Sequence, residues 1–460
     1  MRILLDQAVY DMRNKGNIAL LQVALERLHC LWPNATLEVM TAAPHLLKYY
    51  CPIARPVSSD GRHNWADRHQ QLNRVHAAIP DWALRYAFEF REEVRYGRFA
   101  SVLDKLRARV SSLGTDDDAA AEDGSTVAPI GVQASQESAI SAVPKRIHIP
   151  DLSQALRSAD IVIATGGGFM CDSDKGRALE VMSLLELAAS MGKPTFMVGQ
   201  GIGPVEDPEL QAKVRSVLPI IDLILVREAR VAPALLEALG VPRDRVLVTG
   251  DDAVSLAYDK RSEQLGAAIG VSIRIAHYTG ISAAHLESLR DCLHNKATEY
   301  HAPLLGIPIS CDGHEADQKH ISMLLKGYPR ASTMQWRFDK PESVIRSVGR
   351  CRLVVAGAFH AAVFALAQGV PVVGLIHSSE YAIKFQGLVD QFGAACHLLD
   401  VGDPDIVYKL SEAIDNLWQS ADRLHPELLA HAQDQISLNR VGYQRLGELV
   451  ATRISPRVNS

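Results

Sequence analysis

The chain has 460 residues, 47% hydrophobic and 22% charged, the make-up of a folded globular protein; at about 150 residues per domain it holds two or three domains, and disorder throughout is excluded. Forty-eight Lys+Arg against 53 Asp+Glu leave a formal charge of -5, so there is no global basic footprint and no nucleic-acid partner is expected. Seven scattered cysteines, never in a CxxC pair, fit reduced thiols rather than a disulfide framework or a zinc site.

The first apolar run, Ile3 to Leu5, is broken at Asp6 and is too short for a signal-peptide core. No stretch reaches the roughly 20 apolar residues of a spanning helix, so the expected location is cytoplasmic. Short β-branched runs then alternate with helical periodicity. Strands are expected at Arg2–Leu5, Thr36–Thr41, Ile161–Thr165, Pro194–Val198, Leu223–Val226 and Val246–Val248. A second series follows at Ala268–Ile273, Leu304–Ile309, Leu353–Ala356 and Pro371–Leu375, and helices are expected between, such as Ala19–Leu31 and Leu179–Met191. This is the pattern of a doubly wound α/β protein.

Asn14-Lys15-Gly16-Asn17 follows the first strand and opens a helix, as a cleft-facing amide turn or as a plain tight turn. Trp82, Tyr86, Phe90 and Val94 recur at helical spacing with arginines and glutamates between them. They form either an ordinary packing helix or an interfacial one in peripheral contact with a membrane. Residues 111–145, rich in Ser, Ala, Gly and Asp, cannot bury enough to offset their ordering entropy and are expected to be a flexible, dispensable insertion.

Gly166-Gly167-Gly168 ends a strand, and three glycines suit either close approach to an anion or sugar or a plain connection. Gln200 stands between glycines at the next strand end, so the two edges together suggest a cleft. Arg227 follows Val226 and offers a planar fork for carboxylate or phosphate, or a salt bridge with Asp251 or Glu228. Asp251 and Asp252 either bind sugar hydroxyls or cap a helix.

A polar seam at Tyr258–Gly266 marks a domain boundary. Arg274 ends the first strand of the second series, as a ligand-binding cation or as a surface arginine. His314, Glu315, Asp317 and His320 lack the HExxH spacing of a helical zinc site; they are read as a loop with an acidic first turn, with Asp317 and His314 kept as cleft candidates. His360 stands where a strand turns at Gly357 into an apolar helix, as a catalytic imidazole or as a capping or core histidine. Lys384 follows on a later helix. Residues 402–460 read as helical, broken at Pro404, Pro426 and Gly442.

The ordered motifs "ATGGGFMCD", "GKPTFMVGQGIGP", "DLILVREARVAPALLEALGV", "VTGDDA", "GVSIR" and "HAAVFALAQGVPVVGL" resemble the polysaccharide pyruvyl transferase family. The resemblance spans roughly residues 1–400. It implies two Rossmann-like domains facing across a cleft, as in the GT-B architecture: residues 1–260, residues 261–400, and a helical segment at 401–460. It also implies transfer of the pyruvyl group of phosphoenolpyruvate to a sugar diol as a ketal.

On that basis His360 is the expected catalytic residue. Arg274, Arg227, Lys384, Gly166, Gly167, Gly168, Gln200, Asn14 and Asp251 are expected to bind substrate. No cofactor or metal is expected, and the partners are phosphoenolpyruvate and a sugar or lipid-linked saccharide. The family typically carries an arginine two residues before this histidine, where this chain has Ala358. Two rivals remain: a GT-B glycosyltransferase using a nucleotide sugar, and a non-catalytic carbohydrate-binding relative. No acid stands between Ala361 and His377 to hold a ribose, which counts against the first.

Overall fold

The computed structural model describes residues 1–59, 150–311, 316–333 and 339–454. The expected insertion at 111–145, the helix containing Trp82 and Val94, and residues His314 and Glu315 lie outside the described residues. All the described residues fall in one compact unit.

Two parallel sheets carry the fold. The first contains β1 (Arg2–Asp6), β2 (Thr36–Thr41), β3 (Arg55–Ser58), β4 (Ile161–Ala164), β5 (Gly167–Met170), β6 (Thr195–Ile202), β7 (Leu223–Val226) and β8 (Val246–Val248). Its order is β3-β2-β1-β4-β6-β7-β8, with β5 paired to β6. The second contains β9 (Ala268–Ser272), β10 (Leu304–Gly306), β11 (Ala331–Thr333), β12 (Cys351–Ala356), β13 (Val372–Ile376) and β14 (Cys396–Asp400). Its order is β11-β10-β9-β12-β13-β14.

Strands such as Ile161–Ala164 and Leu223–Val226 are buried along their whole length, because helices cover both faces of a parallel sheet. In each sheet the chain order reverses beside its first strand, between β1 and β4 and between β9 and β12. Those reversals open the crevices at the carboxyl ends of the strands where ligands of doubly wound folds sit.

The structure corrects two expectations. The glycine triplet is not a loop: Gly167 and Gly168 begin β5, pairing Gly167 with Gln200. The C-terminal segment is one helix, Ile406–Ile454, with Pro426 inside it. An internal proline costs about 3 kcal/mol, but Leu424, Leu428 and Ala432 around it are buried. Each buried leucine returns about 1.5–3 kcal/mol, so packing outweighs the break. Gly442 does not end the helix either, because it lets the backbone lie close to the sheet: a methyl group there would stand 2.6 Å from Cγ2 of Thr249.

The helix Lys15–Leu31 joins the two halves. Its Ala19 and Leu20 belong to the core that otherwise surrounds the second sheet. Just before it, the backbones of the two halves meet directly: the Lys15 amide donates to the Ile309 carbonyl at 2.8 Å, and the Cys311 amide donates to the Arg13 carbonyl at 3.0 Å.

Candidate active site

Where the two crevices meet, the carboxyl ends of strands from both sheets line a cavity of about 390 Å³. Ala8, Val9 and Arg13 reach it from the turn after β1, Gly168 from β5 and Arg227 from the end of β7. The second sheet adds Arg274 and Tyr278 after β9, Phe359 and His360 after β12, and Glu380 and Lys384 after β13.

The turn after β1 is fixed by a buried guanidinium. Arg177 donates to Asp6 and to the Gln7 carbonyl, and to the Tyr10 hydroxyl at 2.7 Å. Asn14 caps the following helix, its Oδ1 accepting from the amides of Gly16 at 3.0 Å and Asn17 at 3.2 Å.

Besides Arg13, three cations stand in the cavity wall with different commitments. Arg274 is held in a bidentate pair with the buried Asp317 and donates to the Tyr278 hydroxyl at 2.9 Å. Asp317 Oδ2 also accepts from the amides of Ile309 and Ser310, so this acid locks the segment after β10 to Arg274. Burial alone would depress the Arg274 guanidinium, but the Asp317 carboxylate raises it well above its ordinary value. Lys384 pairs with Glu380 one turn earlier on the helix Ser379–Phe392. Burial would raise the Glu380 carboxyl, yet the Lys384 ammonium holds it below its usual value.

Arg227 is the least satisfied of the three. Its guanidinium stacks 4.3 Å over the Phe359 ring, and its one ion pair among the described residues, to Asp251, is long at 3.7 Å. Its side chain makes no hydrogen bond among the described residues. Burial therefore lowers its pKa despite Asp251 and Glu228. Glycines make room for it: a methyl group on Gly201 would stand 2.5 Å from Nη2. Glu228 is not its partner, since that carboxylate accepts from the amides of Arg230, Val231 and Ala232 at the start of the next helix.

His360 lies in the first turn of the helix Phe359–Leu366. Its Nε2 is 3.8 Å from Asp251 Oδ2, while its Nδ1 edge packs on Gly16, where a methyl group would stand 2.1 Å away. Burial pushes the imidazole down to about 4; Asp251 opposes this, and Arg227, Arg274 and Lys384 reinforce it. The ring is neutral at pH 7.

Of the residues singled out from sequence, His360, Arg227, Arg274, Lys384, Gly168 and Asn14 line the cavity. Gly166, Gly167, Gln200 and Asp251 do not. The Gln200 amide is buried and donates to the carbonyls of Ala164, Thr165 and Val198, so it ties strand ends together. A methyl group on Gly166 would meet the Gly199 carbonyl at 2.6 Å, and one on Gly167 would meet Ala8 at 2.7 Å, so both glycines serve strand packing.

Sequence reasoning missed Arg13, Asp174, Tyr278 and Glu380 in the wall. Glu380 and Lys384 were detectable as an i,i+4 pair of opposite charge. Asp174, whose carboxyl burial raises against the pull of Arg177 and Lys384, reads in sequence only as an ordinary helix-start acid.

The family model described as polysaccharide pyruvyl transferase matches residues 14–379. No curated protein matches the chain in sequence. Among solved structures the chain is similar to a putative UDP-N-acetylglucosamine 2-epimerase from Listeria monocytogenes, at 11% identity and TM-score 0.54, covering 100% of this chain and 97% of that one. It is also similar to UGT73P12 of Glycyrrhiza uralensis in complex with glycyrrhetinic acid 3-O-monoglucuronide, at 10% identity and TM-score 0.53, covering 99% and 96%. A third is Anabaena Alr3699/HepE in complex with UDP, at 12% identity and TM-score 0.50, covering 98% and 99%. At such identities the likeness concerns the fold: two Rossmann-like halves in the GT-B manner.

Proposed function

The chain belongs to the polysaccharide pyruvyl transferase family, and on that premise we propose that it transfers the pyruvyl group of phosphoenolpyruvate to two hydroxyls of one sugar. One hydroxyl oxygen adds to C2 of the donor as the methylene carbon takes a proton. The second oxygen then displaces phosphate from C2, completing the ketal. One hydroxyl proton ends in the new methyl group and the other leaves with phosphate, so the balance needs no oxidant or metal.

The reading rests above all on His360, a neutral imidazole at the crevice of the second sheet in a wall shared with Arg227, Arg274 and Lys384. A neutral ring can take the proton of an attacking hydroxyl. Arg227 and Lys384 supply charge for the donor's carboxylate and phosphate, with Arg227 the better placed because its one acid, Asp251, stands 3.7 Å away without a hydrogen bond. Bound donor brings negative charge beside His360 and raises its pKa, so the ring holds the abstracted proton in the complex. Asp174 is the candidate acid for the methylene carbon.

On this reading the protein works in the cytoplasm and takes a free or lipid-linked saccharide, the latter through a peripheral membrane contact. The nucleotide-sugar alternative is disfavoured because Glu380, the first acid in sequence after β13, is already engaged by Lys384. A relative that only binds carbohydrate would bind without turnover.

The test is phosphate release from phosphoenolpyruvate with methyl glycosides of galactose, glucose and mannose as acceptors. His360→Gln is expected to cut turnover by about 100-fold or more while leaving donor binding nearly intact. Near-normal turnover in a folded His360→Gln protein would make the histidine a packing residue.

A further inference from the structure

We propose that Asp251 is the positioning residue of His360, and that the C-terminal helix holds it in place through its neighbour Asp252. The claim that His360 moves a proton rests on the function proposed above; the placement of its ring does not.

Asp251 Oδ2 and His360 Nε2 are both fully buried, and neither has a hydrogen-bond partner among the described residues. They face each other at 3.8 Å, about 1 Å longer than a hydrogen bond, a gap that such pairs close when substrate binds. Asp251 does not line the cavity, whereas His360 does, and the same Oδ2 stands 3.7 Å from Arg227 Nη1, so the carboxylate lies between the ring and that guanidinium rather than against a sugar. Its other oxygen, Oδ1, accepts from the Ala253 amide at 3.0 Å, which fixes its rotation. A carboxylate facing Nε2 favours the tautomer with its proton on that nitrogen and leaves a lone pair on Nδ1. The charged groups acting on the ring are Asp251, Arg227, Arg274 and Lys384.

Asp251 is held in turn from behind. Asp252 is completely buried and accepts from Asn439 Nδ2 and, at 3.0 Å, from the Tyr443 hydroxyl. Asn439 Oδ1 accepts from Arg27 Nε at 3.1 Å, and Arg27 Nη2 donates to Ser255 at 2.9 Å. Gly250, at φ +74, stands against Gln435 of the same C-terminal helix, and a methyl group on Gly199 would come within 2.8 Å of Asp252. The segment Gly250–Asp252 is therefore clamped between β6 and a helix that lies beyond residue 379, where the family match ends. The helix contributes no residue to the cavity wall, yet it sets the acid that faces the imidazole.

The test is histidine nitrogen NMR on the intact, ligand-free protein at pH 7, with His360→Gln identifying the resonance, alongside turnover. In the wild type the proton is expected on Nε2. Asp251→Asn, whose amide can donate to the ring, should move it to Nδ1 and cut turnover at least 30-fold. Tyr443→Phe should shift the ring resonance in the same direction and cost roughly threefold to tenfold in turnover. Asp251→Glu should keep the wild-type tautomer.

A wild-type proton on Nδ1 would overturn the proposal, as would a tautomer indifferent to Asp251→Asn and Tyr443→Phe. Should Asp251→Asn fail to fold, Tyr443→Phe and Asp251→Glu decide by the same readout. A tautomer that follows Asp251 in a protein where His360→Gln remains active would leave the positioning intact and remove the proposed function instead.

Discussion

Gly16→Ala separates helix stability from the placement of His360. Gly16 lies in the first turn of the helix Lys15–Leu31, where alanine would be favoured over glycine by up to about 1 kcal/mol. The new methyl group, however, would stand 2.1 Å from His360 Cγ and Nδ1 and 2.7 Å from Cβ. The ring cannot yield easily, because Nε2 faces Asp251 and the ring packs between Phe359, at 5.4 Å, and Phe364, at 6.2 Å. Overpacking of this kind costs about 1–3 kcal/mol, so the balance is a net loss of about 0–3 kcal/mol in a folded protein. An imidazole displaced by 1 Å or more should lose about 100-fold in turnover. Chemical denaturation and phosphate release from phosphoenolpyruvate measure the two effects separately. A variant more stable than the wild type with full turnover would refute both the packing and the catalytic role.

Stability should also carry the mark of His360. Its folded pKa of about 4 lies below the 6.5 of an unfolded histidine, so its contribution is full above pH 6.5 and lost as pH falls through 4. The amount is on the order of 3 kcal/mol, and it should appear as the difference between wild type and His360→Gln in denaturation from pH 7 to pH 4. Equal pH dependence would contradict the burial described. Arg274→Ala leaves Asp317 buried without its guanidinium and should cost about 3–5 kcal/mol of stability, so a melting temperature close to wild type would contradict the pairing. Arg227→Ala should instead weaken phosphoenolpyruvate binding by about 1.5–3 kcal/mol with a smaller loss of stability; calorimetry decides, and unchanged affinity would remove Arg227 from the donor site. Dialysis against a chelator should leave turnover unchanged, and loss restored by one stoichiometric metal would contradict the metal-free chemistry.

The strands that were legible in sequence are those whose physics is local. Ile161–Ala164 and Leu223–Val226 are unbroken apolar runs because both faces of a parallel strand are buried. Cys396–Asp400 escaped notice because it is an edge strand, paired only to β13 and partly exposed, and Arg55–Ser58 because it holds a proline. His360, Arg227 and Arg274 were legible because each follows a strand end. The pairing of Asp251 with His360, and the claim of Asp317 on Arg274, join residues from separate elements, and no local pattern encodes them. Gln200 misled because a glutamine between glycines at a strand end looks the same whether it faces a ligand or, as here, three carbonyls of its own sheet. Pro426 misled because the local cost of a proline is visible in sequence, whereas the packing that offsets it is not.

The most direct test of the account is calorimetric titration of the intact protein with phosphoenolpyruvate and, separately, with UDP-glucose. Saturable binding of phosphoenolpyruvate at one site is expected, weakened in Arg227→Ala and retained in His360→Gln, with no binding of UDP-glucose. Saturable binding of UDP-glucose with none of phosphoenolpyruvate would contradict it.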